Sequence, residues 1–132
     1  MPRKTSPTLT EAELRLMELL WQRGPSTVQQ MVDALAGKAL AYNSVLTTTR
    51  ILEKKGYVEH SKDGRAHVYS PLVARHEASR FEVRHLLNRF FNNSHEALLL
   101  NLLQDESLDA EEIRRLRMLV TEARERRSGD AE

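Results

Sequence analysis

Tyr57-Val58-Glu59-His60-Ser61-Lys62-Asp63-Gly64-Arg65-Ala66-His67-Val68-Tyr69 is the stretch that decides the fold. Its period is near two, centred on Asp63-Gly64. Asp-Gly between alternating runs is a strong hairpin signal, because both residues tolerate the positive φ of a tight turn. Ser70-Pro71 closes the segment, since proline cannot donate to a continuing ladder. The pattern predicts a two-stranded wing, and the flanking segments show what kind of domain carries it.

Upstream, three helices are expected in series. The third runs from about Asn43 to Lys55 and ends on Gly56 as a left-handed residue. Before it, beyond a loop through Gly37, Ser26 and Gln29 form a cap pattern, and Val28, Met31, Val32 and Leu35 trace an apolar stripe. The first helix, Glu11 to Arg23, opens on a capping box of Thr10 and Glu13, with Leu9 placed to staple to Leu14. Leu14, Met17, Leu20 and Trp21 recur along it at helical spacing, and Gly24-Pro25 stops it.

Downstream of Pro71 the period is helical to the end. A fourth helix carries Ala78, Phe81, Leu86, Phe90 and Phe91, and Asn92-Asn93-Ser94 breaks it. Ala97 to Leu103 is apolar around most of its circumference and needs cover on several sides. Asp109 and Glu112 cap a last helix striped by Ile113, Leu116, Leu119, Val120 and Ala123, with fraying expected from Arg124 through Ser128-Gly129. The fold class is therefore mostly α: an N-terminal winged helix-turn-helix of three helices plus a two-stranded wing, then a C-terminal helical dimerisation region. The expected boundary separates residues 1–74 from 75–132.

At 132 residues there is room for one small domain and a structured appendage, not for two full cores. The chain has no cysteine, which excludes disulfides, thiolate metal sites and thiol nucleophiles and suits a reducing cytoplasm. The start, Met1 to Pro7, leads into no apolar run long enough for a signal peptide or a membrane span, so a cytoplasmic protein without membrane insertion is expected. Net charge is only +1, but residues 1–72 hold ten Lys/Arg against seven Asp/Glu and residues 73–132 ten against twelve. The first part is mildly basic, the second mildly acidic.

Three helices followed by a hairpin is the winged form of helix-turn-helix, in which the helix after the turn enters the major groove. At 100° per residue Val45, Thr49 and Leu52 share the inward face of the third helix. Asn43, Thr47, Arg50 and Lys54 fall on the opposite face, offering an amide, a hydroxyl, a guanidinium and an ammonium, the groups that read base edges and hold phosphates. On that reading Arg50 carries affinity or base preference. A solvated polar face is the plainer alternative for the same stripe. Ser44 and Leu46 flank it, the latter suited to a thymine methyl, and Lys62 and Arg65 bracket the wing turn where a phosphate backbone would pass. Dimerisation is assigned to Phe90, Leu98, Leu99, Leu102, Leu103, Ile113, Leu116, Leu119 and Val120, because so short a chain has little else to cover them; an intramolecular bundle is the alternative.

Enzyme chemistry has no footing. His60, His67, His76, His85 and His95 lack metal-ligand spacing, and the five glycines form no nucleotide-binding loop, so no metal or cofactor is expected.

Leu9-Thr10-Glu11-Ala12-Glu13, Met17 to Trp21, Gly24-Pro25, Ala41-Tyr42-Asn43-Ser44-Val45-Leu46-Thr47, Lys55-Gly56-Tyr57-Val58 and Gly64-Arg65-Ala66-His67-Val68-Tyr69-Ser70-Pro71-Leu72, taken in order and spacing, resemble the BlaI/MecI family of penicillinase repressors. The likeness spans nearly the whole chain. It implies a homodimer on a palindromic double-stranded DNA operator, with interlocked C-terminal helices, repressing genes of β-lactam resistance or cell-wall stress. It also implies a membrane sensor metalloprotease as partner and cleavage in the dimerisation region, at Asn101-Leu102, where the best-known members have Asn followed by Phe. Thr48-Thr49 stands where the family usually has at least one aliphatic residue, so the third helix is expected to pack less firmly. Copper-responsive members carry a C-terminal cysteine cluster, which this chain lacks. A winged-helix protein-interaction module and a small-molecule-responsive regulator remain open, since fold alone does not choose among them.

Overall fold

Thr10 nucleates the first helix, α1 (Glu11–Arg23), through a complete capping box. Its hydroxyl accepts from the Glu13 N–H at 3.2 Å, and the Glu13 carboxylate accepts from the Thr10 N–H at 2.9 Å. Gly24, at φ +87°, ends the helix and donates its N–H to the Leu20 carbonyl. The computed structural model describes residues 8–35 and 41–131. In it α1 buries Leu16, Met17 and Leu20, whereas Leu14, expected inside, is 39% exposed. Leu14 lines a cleft with Leu9, Trp21 and Val83 instead of entering the core.

Ser26 and Thr27 form a short strand, β1 (Ser26–Thr27), before α2 (Val28–Ala34). The cap of α2 lies one residue beyond the expected position. Thr27 and Gln30 make the reciprocal box, because Ser26 is held in the sheet opposite Tyr69 and Gln29 donates its amide to Asp33. The expected loop through Gly37 lies outside the described residues.

The third helix, α3 (Tyr42–Lys55), has Val45, Thr49 and Leu52 buried, the three residues expected on its inward face. Thr49 has no solvent exposure and its hydroxyl donates to the Val45 carbonyl at 2.7 Å, so the polar atom is satisfied within the helix. Gly56 takes a left-handed conformation (φ +87°, ψ 13°), and the next N–H, of Tyr57, closes on the Leu52 carbonyl. The chain thereby turns directly into the wing.

The wing is β2 (Val58–Asp63) paired antiparallel with β3 (Ala66–Pro71), in a register that places Asp63 opposite Ala66. The two-residue turn is therefore Gly64-Arg65, one position past the expected centre. Gly64 has φ +66° and Arg65 is not among the positive-φ residues, the pattern of a type II′ turn with glycine first. Pro71 is the last paired residue, opposite Val58. The sheet has three strands in the order β1-β3-β2, one more than the expected hairpin. Only Val58 and Tyr69 of the wing are buried; Val68, Ser70 and Pro71 are half-buried, and the other residues of the two strands stand in solvent.

The fourth helix, α4 (Arg75–Phe90), begins against this core: Ala78 is buried in it and the Phe81 ring meets Tyr57 edge-on at 6.4 Å. The Trp21 indole donates to the Val73 carbonyl at 2.8 Å, and the Arg75 guanidinium lies 4.8 Å from the centre of the Trp21 ring. These contacts carry the first compact unit through Leu86, well past the boundary expected at residue 74.

The second unit runs from Leu87. Asn92 and Asn93 break the helix in left-handed conformations, which asparagine tolerates better than most residues. Ser94 then caps α5 (His95–Leu103), and the Asp109 carboxylate accepts from the Glu112 N–H at 2.8 Å at the head of α6 (Ala110–Ala131). Where fraying was expected after Arg124, α6 continues; the run Glu122 to Arg127 is made of strong helix formers. No residue of α5 is buried.

Candidate nucleic-acid interface

What faces solvent on α3 follows from what it buries. With Val45, Thr49 and Leu52 inside, Asn43, Ser44, Thr47, Arg50 and Lys54 are exposed and Leu46 is half-buried. The helix is anchored at its C-terminal end by Lys55, whose ammonium lies 2.7 Å from the Glu13 carboxylate and 3.1 Å from the Thr8 carbonyl. Both anchoring groups belong to residues N-terminal to, or in, α1, so the polar stripe is presented from a helix fixed by core packing on one side and an ion pair at its end.

Lys62 and Arg65 are both exposed, but they take different positions. Lys62 lies in β2 opposite His67, whereas Arg65 occupies the turn itself. A groove of about 290 Å³ runs between α3, the start of α2 and the wing. Tyr42, Leu46 and Arg50, one helical turn apart, form its α3 wall; Arg65 and His67 come from the wing and Gln29 from α2. The structure thus brings Arg50 and Arg65 onto one groove, while Asn43, Thr47, Lys54 and Lys62 lie outside its lining.

Tyr42, Gln29 and His67 were not anticipated as part of this surface. The signal for Tyr42 was available, since it sits four residues before Leu46 and eight before Arg50. Gln29 and His67 reach the groove only through tertiary structure. His67 stacks on His60 with ring centres 4.6 Å apart and planes 18° apart, and the His60 Nδ1 is 2.6 Å from the Glu53 carboxylate. Beneath them Tyr69 is buried, and desolvation foremost, with the Glu53 charge second, raises its phenol above the ordinary value; the nearby Arg50 charge opposes the rise.

In the second unit the expected dimer residues are largely uncovered. Phe90 is 66% exposed, Leu99, Leu102, Leu103, Leu119 and Val120 are also exposed, and Leu98, Ile113 and Leu116 are half-buried. Asn101 and Leu102 are exposed within α5. Among the described residues no group of three His, Asp or Glu is arranged to hold a metal, and no helix is long and apolar enough to cross a membrane.

Three helices, a three-stranded sheet with a projecting hairpin and a polar outward face on the third helix define a winged-helix DNA-binding regulator. The model of the penicillinase repressor family matches residues 9–122, and the chain belongs to that family, whose members are transcriptional repressors and not enzymes. It is 29% identical to the penicillinase repressor of Bacillus licheniformis over 126 residues, covering 94% of this chain and 98% of the relative. It is 34% identical to the transcriptional regulator BlaI of Mycobacterium tuberculosis (strain ATCC 25618 / H37Rv) over 117 residues, covering 86% and 83% respectively. The solution structure of the DNA binding domain of the repressor BlaI matches with a TM-score of 0.50 and 26% identity, over 57% of this chain and 93% of that domain. This protein is accordingly a DNA-binding transcriptional repressor.

Proposed function

We propose that the chain acts as a homodimer on a palindromic operator, each subunit laying α3 in a major groove and its wing along the adjacent backbone. The observation that carries this reading is the exposed row Asn43, Thr47, Arg50 and Lys54 on a helix whose opposite face is fully buried. Asn43, Ser44, Leu46 and Thr47 stand in the first turns, where base edges are reached, and Lys54, Lys62 and Arg65 supply charge for phosphates. The uncovered leucines of α5 and the exposed Leu119 and Val120 of α6 support pairing of two subunits through the second unit. A C2 pair matches a palindromic site by symmetry.

Selection from a random duplex library with the full chain, followed by footprinting, tests the reading. Two inverted half-sites about one helical turn, or a multiple, apart are expected. No enriched sequence, or a single unpaired half-site, would overturn it.

The names of the relatives, a penicillinase repressor and methicillin resistance regulatory proteins, support β-lactam resistance or cell-wall stress genes as targets. The exposure of Asn101 and Leu102 supports cleavage there by a membrane sensor metalloprotease as the route of induction. A chain left intact by its activated cognate sensor would remove that step.

A further inference from the structure

The cleft between α1 and α4 lies wholly within the first compact unit and has a volume of about 530 Å³, the size of a small-molecule site. Its floor is apolar: Leu9, Leu14, Trp21, Ala78 and Val83. Leu14 and Val83 are 39% and 47% exposed, so water reaches this floor in the free chain. The cleft shares no residue with the groove between α3 and the wing.

The polar groups around that floor are unequal. Its donors are engaged: the Trp21 N–H donates to the Val73 carbonyl and the Ser79 hydroxyl to the His76 carbonyl, while the Arg75 guanidinium lies over the Trp21 ring and 3.7 Å from Glu18. Glu82 accepts from the Leu9 N–H at 2.8 Å through Oε2, which leaves Oε1 for a ligand. Two carboxylates, Glu18 and Glu82, against one guanidinium give the lining a net negative charge. We infer that this cleft is an effector site for a hydrophobic organic monocation, an ammonium on an aromatic or aliphatic body, and that its occupation weakens DNA binding. The apolar floor takes the body and the excess carboxylate takes the charge.

The route from the cleft to α3 is short. Thr8, Leu9 and Thr10 form a strap: Glu82 of α4 holds the Leu9 N–H, the Lys55 ammonium at the end of α3 donates to the Thr8 carbonyl at 3.1 Å, and Thr10 caps α1. A cation drawn to the Glu82 carboxylate competes with the Leu9 N–H for it, and an apolar body against Leu9 and Leu14 presses on the same strap. Moving the strap draws the Thr8 carbonyl away from Lys55, so α3 loses one of the two anchors at its end, the other being Glu13 at 2.7 Å. The occupied and empty cleft thereby hold α3 differently, which is what a ligand needs in order to change affinity at a second site.

Trp21 is the single tryptophan of the chain and lines the cleft, so its emission reports on the site directly. The test titrates the full chain with phenylbutylammonium, and with phenylbutyrate and phenylbutanol as probes of the same body and different charge. The ammonium is expected to bind saturably and about fivefold more tightly than the carboxylate. Glu82→Gln keeps an acceptor for the Leu9 N–H but removes the charge, and should abolish that preference; Glu106→Gln, an exposed carboxylate outside the cleft, should keep it. Anisotropy of a labelled duplex should show affinity about fivefold lower at saturating ammonium in wild type, and no change in Glu82→Gln at the same concentration. Equal affinity for the three probes, or tighter binding of the carboxylate, would overturn the cation assignment. Saturable binding with unchanged DNA affinity would overturn the effector role. Trp21 emission that shifts on dilution while no probe binds would show that a second copy covers the cleft, and the site would fall. The titration contains no DNA, so its failure leaves the repressor reading in place.

Discussion

Lys55, the last residue of α3, holds its ammonium 2.7 Å from the Glu13 carboxylate on the first turn of α1. The same Glu13 oxygen accepts from the Thr10 N–H, so one atom both completes the cap of α1 and anchors the end of α3. The pair is largely sheltered, with 6% of the Glu13 side chain and 18% of the Lys55 side chain exposed. A sheltered pair of this kind is revealed by removing one member, which leaves the other charge uncompensated.

Glu13→Ala is therefore expected to lower stability by about 2–4 kcal/mol, combining loss of the cap with an unpaired ammonium. Lys55→Met, which keeps the apolar stem, should cost less. Urea denaturation of both single variants and the double variant measures the coupling. Strictly additive losses would show that the two side chains do not depend on each other.

On the proposed docking, the polar face of α3 divides into residues that read bases and residues that hold phosphates. Asn43→Ala is expected to relax preference at one operator position, with a loss of about 1–3 kcal/mol against the selected sequence and little against random DNA. Lys54→Ala should weaken both duplexes alike and reduce the salt slope by about one. Competition binding with selected and scrambled duplexes separates these outcomes. The reverse pattern would exchange the two roles.

Local signals in the chain were sufficient for the elements that close on themselves. Thr10 with Glu13 and Gly24 bounds α1, and the spacing of Val45, Thr49 and Leu52 identifies the buried face of α3. Where two local solutions compete, long-range pairing decides. Ser26 with Gln29 and Thr27 with Gln30 satisfy the same capping pattern, and the sheet contact of Ser26 with Tyr69 selects the second. Asp63-Gly64-Arg65 likewise admits glycine as either central residue of a two-residue turn, and the ladder register puts it first. A two-residue strand such as β1 has no period to detect.

The site was legible as a stripe, not as a groove. Asn43, Thr47, Arg50 and Lys54 follow from one helix, whereas the surface joining Arg50 to Arg65, His67 and Gln29 needs three segments brought together by the fold. Glu13 and Lys55, 42 residues apart, meet for the same reason. The first compact unit reaches Leu86 because Ala78 and Phe81 pack on the winged-helix core, a contact that no local pattern in the fourth helix announces.

Uncovered leucines on α5 and α6 make the proposed dimer open to a direct check. Leu102 is 50% exposed and Leu119 57% exposed, so a charge at either position disturbs the single subunit little. Leu102→Glu and Leu119→Glu are expected to sediment as monomers at concentrations where wild type is dimeric. Circular dichroism should remain near wild type, and operator affinity should fall because each half-site then binds alone. Dimers that persist in both variants would remove these faces from the interface.

Tyr57 makes the last prediction, through alkaline stability. The side chain is buried against the core, and desolvation foremost, with the Glu82 and Glu13 charges adding, raises its phenol to about 12 from 10.0. A folded-state value above the unfolded one means that the folded chain holds its proton more tightly. The contribution is fully present below about pH 10 and is lost as pH rises toward about 12. Denaturation midpoints are therefore expected to be insensitive to this group up to about pH 10, then to fall by the equivalent of about 1 kcal/mol at about pH 11. Tyr57→Phe keeps the ring against Phe81 and removes the titrating proton, so its midpoint should fall less steeply over the same range. Parallel curves for wild type and Tyr57→Phe above pH 10 would show that the phenol is not the group responsible.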